Sequence, residues 1–399
     1  MAIDPTIFRG YDVRARHEDQ LTDEAVEATA FSYAAHTGAK RVAMGWDMRR
    51  SSPRIVSALT EGLLKAGVDV MHIGLCTTPM LYFAVGSDET IDGGLMVTAS
   101  HCTTEMNGVK LCRADVQPIG FGSGMEDIRD RALRGERHHA RRRGTLETRD
   151  VKPAFFDHLF SVAGDMDLSG MSVVFDAGNS VASVVLPEII ARLGVEHTDL
   201  YFDLDDTFPN HEANPVKTET MHDLRAMVRA KGAHVGFAYD GDADRIGVVD
   251  ETGAIVSSDY VLLLLAQALL KKEAGALVLS DIGCTRDVER GVTQMGGRHL
   301  STPVGHAHIK RMMHEHGGAL AGEYSGHMYF REMFRAESTM LATLLLLNIL
   351  RASGAPARRI TTWTTRMPRC ANWRRDLEVL AARACRISTD SRWIFLRGG

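Results

Sequence analysis

Short apolar runs alternate with longer stretches of helical periodicity along most of the chain. In the first part, residues 41–45, 69–73 and 94–98 are predicted strands, and 53–66 is a predicted helix. Strands that alternate with helices are typical of βα units around a mostly parallel sheet. The pattern therefore predicts an α/β fold.

The same alternation occurs about three times. Further predicted strands lie at 171–176, 234–238 and 276–280, and further predicted helices at 184–193, 261–271 and 288–295. A polar, arginine-rich stretch at 134–149 is interpreted as the first linker. We expect three similar domains with mixed or parallel sheets, in series around a cleft, with boundaries at 1–147, 148–252 and 253–352. Function in such domains usually lies in loops after the strand C-termini.

Charge is distributed unevenly along the 399 residues. The net charge is −5, but residues 351–399 contain 11 Arg, no Lys and 3 acidic residues, a net charge of +8 that leaves −13 for the rest. The chain is 45% hydrophobic and 24% charged, which excludes a disordered chain. One basic stretch without a binding fold is weak support for a nucleic-acid arm, so we expect no nucleic-acid partner.

Cysteine usage and hydropathy indicate a cytoplasmic location. The six cysteines are scattered with no CxxC pair, so neither a disulfide framework nor a zinc site is expected. Charges among the first twenty residues argue against a signal peptide. The longest apolar run, at 262–270, is too short to span a bilayer, and we expect no membrane association. The oligomeric state stays open.

An acidic loop directly follows the predicted strand at 234–238. Asp240, Asp242 and Asp244 stand at alternate positions, followed by Arg245. Three carboxylates can converge on one hard divalent cation, and ligation by oxygen alone favours Mg²⁺ over Zn²⁺. The fixed cation of Arg245 suits a negatively charged ligand such as phosphate. A solvated acidic turn is the alternative.

Three other loops carry candidate chemistry. Ser100 follows a predicted strand beside His101 and ten residues before Lys110, so it can be a nucleophile or phosphate carrier if a cation is near, or simply a cap. The loop 322–327 offers a carboxylate and an imidazole that can hold vicinal hydroxyls, or it is an ordinary turn. Arginines at 8–14 can reach a phosphate or are solvated.

Together, these loops resemble the α-D-phosphohexomutase superfamily, most closely its bacterial phosphomannomutase/phosphoglucomutase branch. The resemblance covers residues 7–352 approximately and depends on four motifs in the family order. Residues 8–14 are similar to FRxYDIR, 98–110 to TASHNPxxxNGxK, 240–245 to DGDxDR, and 322–327 to GEMSGH. Residues 209–215 and 304–306 also fit this branch.

The resemblance implies a role for each matched residue. Ser100 would carry the phosphoryl group, and Mg²⁺ would bind it together with three carboxylates, those of Asp240, Asp242 and Asp244. Proton transfer at the sugar hydroxyl would involve Lys110 and Arg14, with His101 close by. Substrate binding would involve the following residues: Glu323 and Ser325 at the O3 and O4 hydroxyls, with His327, His306, Tyr11 and Arg245 nearby.

The implied reaction interconverts hexose 1-phosphate and hexose 6-phosphate through phosphoserine and a bound 1,6-bisphosphate. Mannose is the first expectation for the sugar, with glucose as the alternative, and glucose or mannose 1,6-bisphosphate would be the activator. Four positions depart from the family motifs: Cys102 and Thr103 replace Asn-Pro, Ala15 replaces a glycine, and Tyr324 replaces the usual middle residue of the sugar loop. None of these changes removes a charge from the site.

The C-terminal stretch departs further from the family. A fourth domain in the family grips the substrate phosphate with an RxSNTEP-type loop, and residues 353–399 contain no such motif. We therefore expect these residues to be an incomplete or altered remnant of that domain, produced by a truncation, a frameshift or a real variant. Two alternative functions follow: an impaired protein that only binds sugar phosphate, and a phosphatase-like hydrolase whose open cleft admits water.

Overall fold

The computed structural model describes residues 3–352, which contain three mixed sheets and their helices. The first sheet and its helices comprise β1 (Val13–Arg16), α1 (Asp23–Thr37), β2 (Arg41–Trp46), α2 (Ser52–Lys65), β3 (Asp69–Leu75), α3 (Thr78–Gly86), β4 (Gly93–Val97), β5 (Met106–Arg113), α4 (Met125–Leu133) and β6 (Leu146–Thr148). The strand order is β1-β5-β4-β2-β3-β6. Strands β4, β2, β3 and β6 are parallel neighbours, whereas β5 is antiparallel to both β4 and β1.

The second sheet has five strands. Its region comprises α5 (Lys152–Ala163), β7 (Ser172–Asp176), α6 (Leu186–Leu193), β8 (Glu196–Leu200), α7 (His222–Lys231), β9 (Val235–Tyr239), β10 (Ile246–Asp250) and β11 (Ile255–Val256). The order is β11-β10-β9-β7-β8, with β9, β7 and β8 parallel and β10 antiparallel to β9.

The third sheet repeats this arrangement. Its region comprises α8 (Ser258–Lys272), β12 (Leu277–Asp281), α9 (Arg286–Gln294), β13 (Arg298–Thr302), α10 (His306–His316), β14 (Leu320–Gly322), β15 (Met328–Phe330), β16 (Ala336–Glu337) and α11 (Thr339–Ala352). The order is β13-β12-β14-β15-β16, with β13, β12 and β14 parallel and β15 antiparallel to β14. Helix α11 packs against α5 and α8.

Local sequence explains where these elements begin and end. The strands β4, β9 and β12 are buried along their whole length, as expected for apolar runs covered on both faces. Helix α1 begins after Thr22, whose side chain accepts a hydrogen bond from the Ala25 amide, and ends at Gly38 in the left-handed conformation.

The predicted α/β class with three similar domains in series is confirmed, and the sheets are mixed. Part of the stretch interpreted as the first linker, 134–149, belongs instead to the first sheet, because β6 lies within it and pairs in parallel with β3. A strand of only three exposed residues gives no apolar signal in the sequence. The expected fourth-domain remnant, 353–399, lies outside the described residues. Within residues 3–352, every helix is too short or too polar to cross a membrane.

Candidate active site

Three loops with polar side chains occupy the same topological position in the three sheets. Each connects the last parallel strand to its antiparallel neighbour: 98–105 joins β4 to β5, 240–245 joins β9 to β10, and 323–327 joins β14 to β15. The loops contact one another through the side chains described below. Residues more than 200 positions apart in the chain are thereby brought into one site.

Ser100 is buried in the first loop and has a left-handed backbone conformation, with φ of 51°. Its amide donates a hydrogen bond to Thr98 Oγ1 at 2.9 Å. Its hydroxyl donates to Asp240 Oδ2 at 2.7 Å and lies 3.1 Å from His101 Nδ1. Positive φ is uncommon for a residue with a side chain, so the surrounding contacts hold Ser100 in the orientation that directs its hydroxyl at the second loop.

The second loop turns around the side chain of Asp240. Its Oδ1 accepts hydrogen bonds from the amides of Asp244 at 3.0 Å and Arg245 at 3.1 Å, which leaves Oδ2 to face Ser100. A Cβ atom on Gly241 would lie 2.2 Å from the Ser100 carbonyl oxygen, so only glycine allows the two loops to approach this closely.

Asp240, Asp242 and Asp244 form a buried group that could hold a metal ion, with one ligand oxygen from each within 4.8 Å of the others. Burial and the charges of the two other carboxylates raise the pKa of Asp240 to about 7. Among the described residues, Asp242 Oδ1 is buried without a hydrogen-bond partner. A buried carboxylate oxygen of this kind needs a cation or a donor, so the donor set fits a hard divalent ion.

Lys110 reaches this group from strand β5. Its Nζ donates to Asp242 Oδ2 at 2.6 Å and also to Asp244 Oδ2. Burial alone would lower the pKa of Lys110, but the carboxylates of Asp242 and Asp244 outweigh burial and raise it. Lys110 is therefore charged and partly neutralises the acidic group. Thr78 Oγ1 donates to the same Asp242 oxygen at 2.6 Å.

Arg14 and His101 lie next to the loop that carries Ser100. Arg14 Nη1 donates to Cys102 Sγ at 3.3 Å, and its Nη2 donates to Asp12. Within residues 3–352, Arg14 Nε is buried and has no hydrogen-bond partner. Burial and the cations of Arg245 and Arg14 lower the pKa of His101 to about 3, so this imidazole is neutral.

The third loop is joined to the acidic group through His327. Its Nε2 lies 3.2 Å from Asp244 Oδ1, and its Nδ1 lies 2.7 Å from Glu323 Oε2 and 2.8 Å from Ser325 Oγ. Burial alone would lower the pKa of His327, but the two carboxylates raise it to about 10. Glu323 also accepts hydrogen bonds from the Gly305 amide at 2.9 Å and the Tyr329 hydroxyl at 2.6 Å.

The remaining predicted residues border these loops. Arg245 Nε lies 3.4 Å from His327 Nε2 and 3.8 Å from Asp240 Oδ2. The Tyr11 hydroxyl donates to the Val304 carbonyl at 2.9 Å, and its ring meets His306 edge-on at 5.6 Å. His306 Nδ1 faces Glu337 Oε1 at 3.7 Å.

Three further residues that contact these loops were not predicted from the sequence. Thr78 was not singled out, and neither were Asp47 and Arg49, which follow strand β2. Arg49 is completely buried and donates to the Ser100 carbonyl at 2.8 Å. A signal was present, because an Asp and an Arg directly after an apolar strand lie at the same sheet edge as the loop after β4.

Comparison with known proteins also divides the chain into three domains of one family. Residues 5–136, 153–253 and 257–366 match the phosphoglucomutase/phosphomannomutase alpha/beta/alpha domains I, II and III, respectively. Since these matches span most of the chain, it belongs to the phosphoglucomutase/phosphomannomutase family.

Individual relatives have substantial identity. A phosphomannomutase/phosphoglucomutase of Pseudomonas aeruginosa is 37% identical over 351 residues, which are 86% of this chain and 74% of the relative. A phosphomannomutase of Salmonella typhimurium is 35% identical over 352 residues, 86% of this chain and 77% of the relative. The crystal structure of a phosphoglucomutase/phosphomannomutase family protein from Burkholderia thailandensis has a TM-score of 0.84 at 31% identity, covering 90% of this chain and 80% of that one.

Proposed function

We propose that this protein is a phosphohexomutase that interconverts hexose 1-phosphate and hexose 6-phosphate through a phosphoserine at Ser100 and a 1,6-bisphosphate intermediate. The observation that carries the proposal is the 2.7 Å hydrogen bond from Ser100 Oγ to Asp240 Oδ2, which joins residues 98–105, the serine loop, to the acidic group of Asp240, Asp242 and Asp244. Family membership supports it, since relatives are named phosphomannomutase, phosphoglucomutase or both.

Mg²⁺ is the proposed cofactor. The carboxylates of Asp240, Asp242 and Asp244, together with the Ser100 hydroxyl, supply only oxygen ligands, as Mg²⁺ prefers. When bound, Mg²⁺ would neutralise negative charge on the transferring phosphoryl group. Since Lys110 already donates to two of these carboxylates, the ion and the ammonium group would compete for the negative charge of Asp242 and Asp244.

The cations around Ser100 are proposed to bind phosphate and to handle the proton of the sugar hydroxyl. Lys110 and Arg14 stay the candidates for this proton transfer. Arg14 has a buried Nε without a partner among the described residues, so this donor is available to a substrate oxygen. His101 is neutral at physiological pH and can hydrogen-bond to Ser100 without adding charge.

The third loop is proposed to hold the sugar. Glu323 and Ser325 would bind the O3 and O4 hydroxyls beside a protonated His327, and Arg245, His306 and Tyr11 would border the substrate. Glu323 suits this role because burial alone would raise its pKa, whereas His327 and Tyr329 outweigh burial and lower it, so it stays an anionic acceptor. Mannose and glucose share O3 and O4, so both sugars fit these contacts.

The experiment follows mannose 1-phosphate and glucose 1-phosphate separately by ³¹P NMR. Each is incubated with the protein, Mg²⁺ and a trace of the matching 1,6-bisphosphate, the predicted activator. We expect the 6-phosphate to form, faster with mannose. Release of inorganic phosphate alone would instead identify a hydrolase, and binding without turnover would identify an impaired sugar-phosphate-binding protein. Either of these two results rejects the mutase.

A further inference from the structure

Arg49 is completely buried directly after strand β2, and all of its donors are used. A guanidinium group has five N–H donors in a fixed plane. Nε donates to Asp47 Oδ2 at 3.1 Å. Three of the other four bonds go to backbone carbonyl groups of the loop between β4 and β5, those of Ser100 at 2.8 Å, Cys102 at 2.7 Å and Thr103 at 2.8 Å, and the fourth goes to the carbonyl of Met106 at 3.2 Å, the first residue of β5.

These bonds fix the peptide group that follows the phosphate-carrying serine. The carbonyl oxygen of Ser100 lies between Arg49 Nη2 and the Gly241 backbone, where a Cβ atom would meet it at 2.2 Å. Ser100 has a φ of 51°, a strained conformation for a residue with a side chain, which persists only where the surroundings impose it. Arg49 supplies the hydrogen bonds that oppose relaxation of this peptide.

The second sheet also contributes to the surroundings of Arg49. The ring of Phe208 lies 5.5 Å from the guanidinium carbon, and Thr104 Oγ1 donates to the Asp206 carbonyl at 2.7 Å. The guanidinium plane is therefore held between the serine loop and a loop that follows β8. Lysine, with three donors on a compact ammonium group, cannot reproduce a planar set of five bonds.

We propose that Arg49 is a positioning residue for phosphoryl transfer at Ser100. It acts through the backbone of the serine loop, holding Ser100 Oγ toward Asp240, and its five donors are all taken by Asp47 and backbone carbonyl groups. This proposal rests on the proposed function and adds to it a residue outside the four sequence motifs. A displacement of about 1 Å at a reacting atom can reduce the rate about 100-fold.

The test compares three variants by steady-state kinetics with Mg²⁺ and a hexose 1-phosphate, each normalised to the folded fraction from circular dichroism. Arg49→Lys removes the planar fork, and Arg49→Ala leaves a space that guanidinium ion can fill. Arg54→Lys is the matched control. Arg54 lies in helix α2 and also binds two backbone carbonyl groups, those of His17 at 2.6 Å and Leu21 at 2.8 Å, which lie outside the serine loop.

For Arg49→Lys, we expect kcat to fall about 100-fold while KM for the hexose phosphate stays within about threefold of the native value. For Arg49→Ala, guanidinium chloride below its denaturing range should restore kcat at least about tenfold, since charge-assisted bonds return, whereas sodium chloride should not. The Arg54→Lys control should retain native kcat. If Arg49 served only the stability of the protein, guanidinium ion would not restore the kcat of Arg49→Ala while the melting temperature of the variant stayed unchanged.

Native kcat in a folded Arg49→Lys protein overturns the proposal, and so does an equal loss of kcat in the Arg54→Lys control. If neither Arg49 variant folds, Asp47→Asn is tested in their place, because it weakens the acceptor of Arg49 Nε. A reduced kcat at the native KM then supports the proposal, and a native kcat overturns it. If the native protein turns over neither sugar phosphate, the proposed function is rejected. If the native protein and the Arg49 variants are equally active, only the role of Arg49 is rejected.

Discussion

Ser100 Oγ donates a 2.7 Å hydrogen bond to Asp240 Oδ2, although 140 residues separate the two in the chain. The contact exists because both loops leave a parallel strand at its carboxyl end and return on an antiparallel one. Further hydrogen bonds fix each partner. Arg49 donates to the Ser100 carbonyl, and two backbone amides of the loop 240–245 donate to Asp240 Oδ1. The geometry of this pair underlies the predictions for Ser100 and Gly241.

Replacing Ser100 with alanine removes the proposed phosphate carrier. We expect kcat to fall by a factor on the order of 10³ or more, and incubation with a hexose 1,6-bisphosphate should no longer add a phosphoryl mass to the intact protein. Ser32→Ala is the control, because Ser32 is also buried and its hydroxyl has no partner among residues 3–352. An active, folded Ser100→Ala protein would show that another group carries the phosphate.

Replacing Lys110 with methionine should strengthen Mg²⁺ binding while reducing kcat. The substitution removes a cation that donates to Asp242 and Asp244, so we expect the dissociation constant for Mg²⁺ to fall roughly tenfold by calorimetric titration. Lys310→Met is the control for this measurement, since Lys310 is equally buried but pairs with Glu337 at 3.0 Å. Unchanged or weaker Mg²⁺ binding would contradict competition between the ion and Lys110.

Replacing Gly241 with alanine should force the serine loop and the acidic loop apart. The added Cβ would lie 2.2 Å from the Ser100 carbonyl oxygen, and overpacking of this kind costs about 1–3 kcal/mol of stability. We expect a lower free energy of unfolding in urea together with a lower kcat. Gly10→Ala is the control, because a Cβ there would meet nothing within 4 Å. Native values for both quantities would contradict the close contact.

His211 should make the stability of the protein depend on pH. Its two nitrogens face acceptors, Asp176 Oδ2 at 3.0 Å and the Glu212 carbonyl at 2.9 Å. Burial alone would lower the pKa of His211, but the hydrogen bond and charge of Asp176 outweigh burial and raise it. Because the pKa is higher in the folded state than the unfolded value of about 6.5, the stabilisation is complete below that pH and is lost as the pH rises through the folded-state pKa.

The measurement for His211 is urea unfolding from pH 5.5 to pH 9, a range chosen around the ordinary pKa of about 6.5. Relative to the native protein, His211→Gln should be most destabilised at the acidic end, and the difference should shrink as the pH rises. The exposed His138→Gln serves as the control. A difference that is constant across the range, or that grows with pH, would refute the sign of the pKa shift.

The local pattern of apolar and polar residues was sufficient to predict most of the strands and helices. The strands at 41–46, 69–75 and 235–239 agree with prediction to within two residues at either end, because a buried strand needs a continuous apolar run that the sequence displays directly. Strand β6 has no buried residue and was assigned to a linker. Its place in the sheet depends on pairing with β3, which no property of its own residues encodes.

The sequence alone determined which residue types stand in each loop, and therefore the candidate chemistry of Ser100, the three aspartates and Glu323. Only the tertiary structure decided that Lys110 is held between Asp242 and Asp244, that His327 links Asp244 to Glu323, and that Arg49 binds the serine loop. The physical reason is that the chemistry of a side chain is local, whereas its partners are set by how three sheets place their loops. Those distances depend on packing between residues that are far apart in the chain.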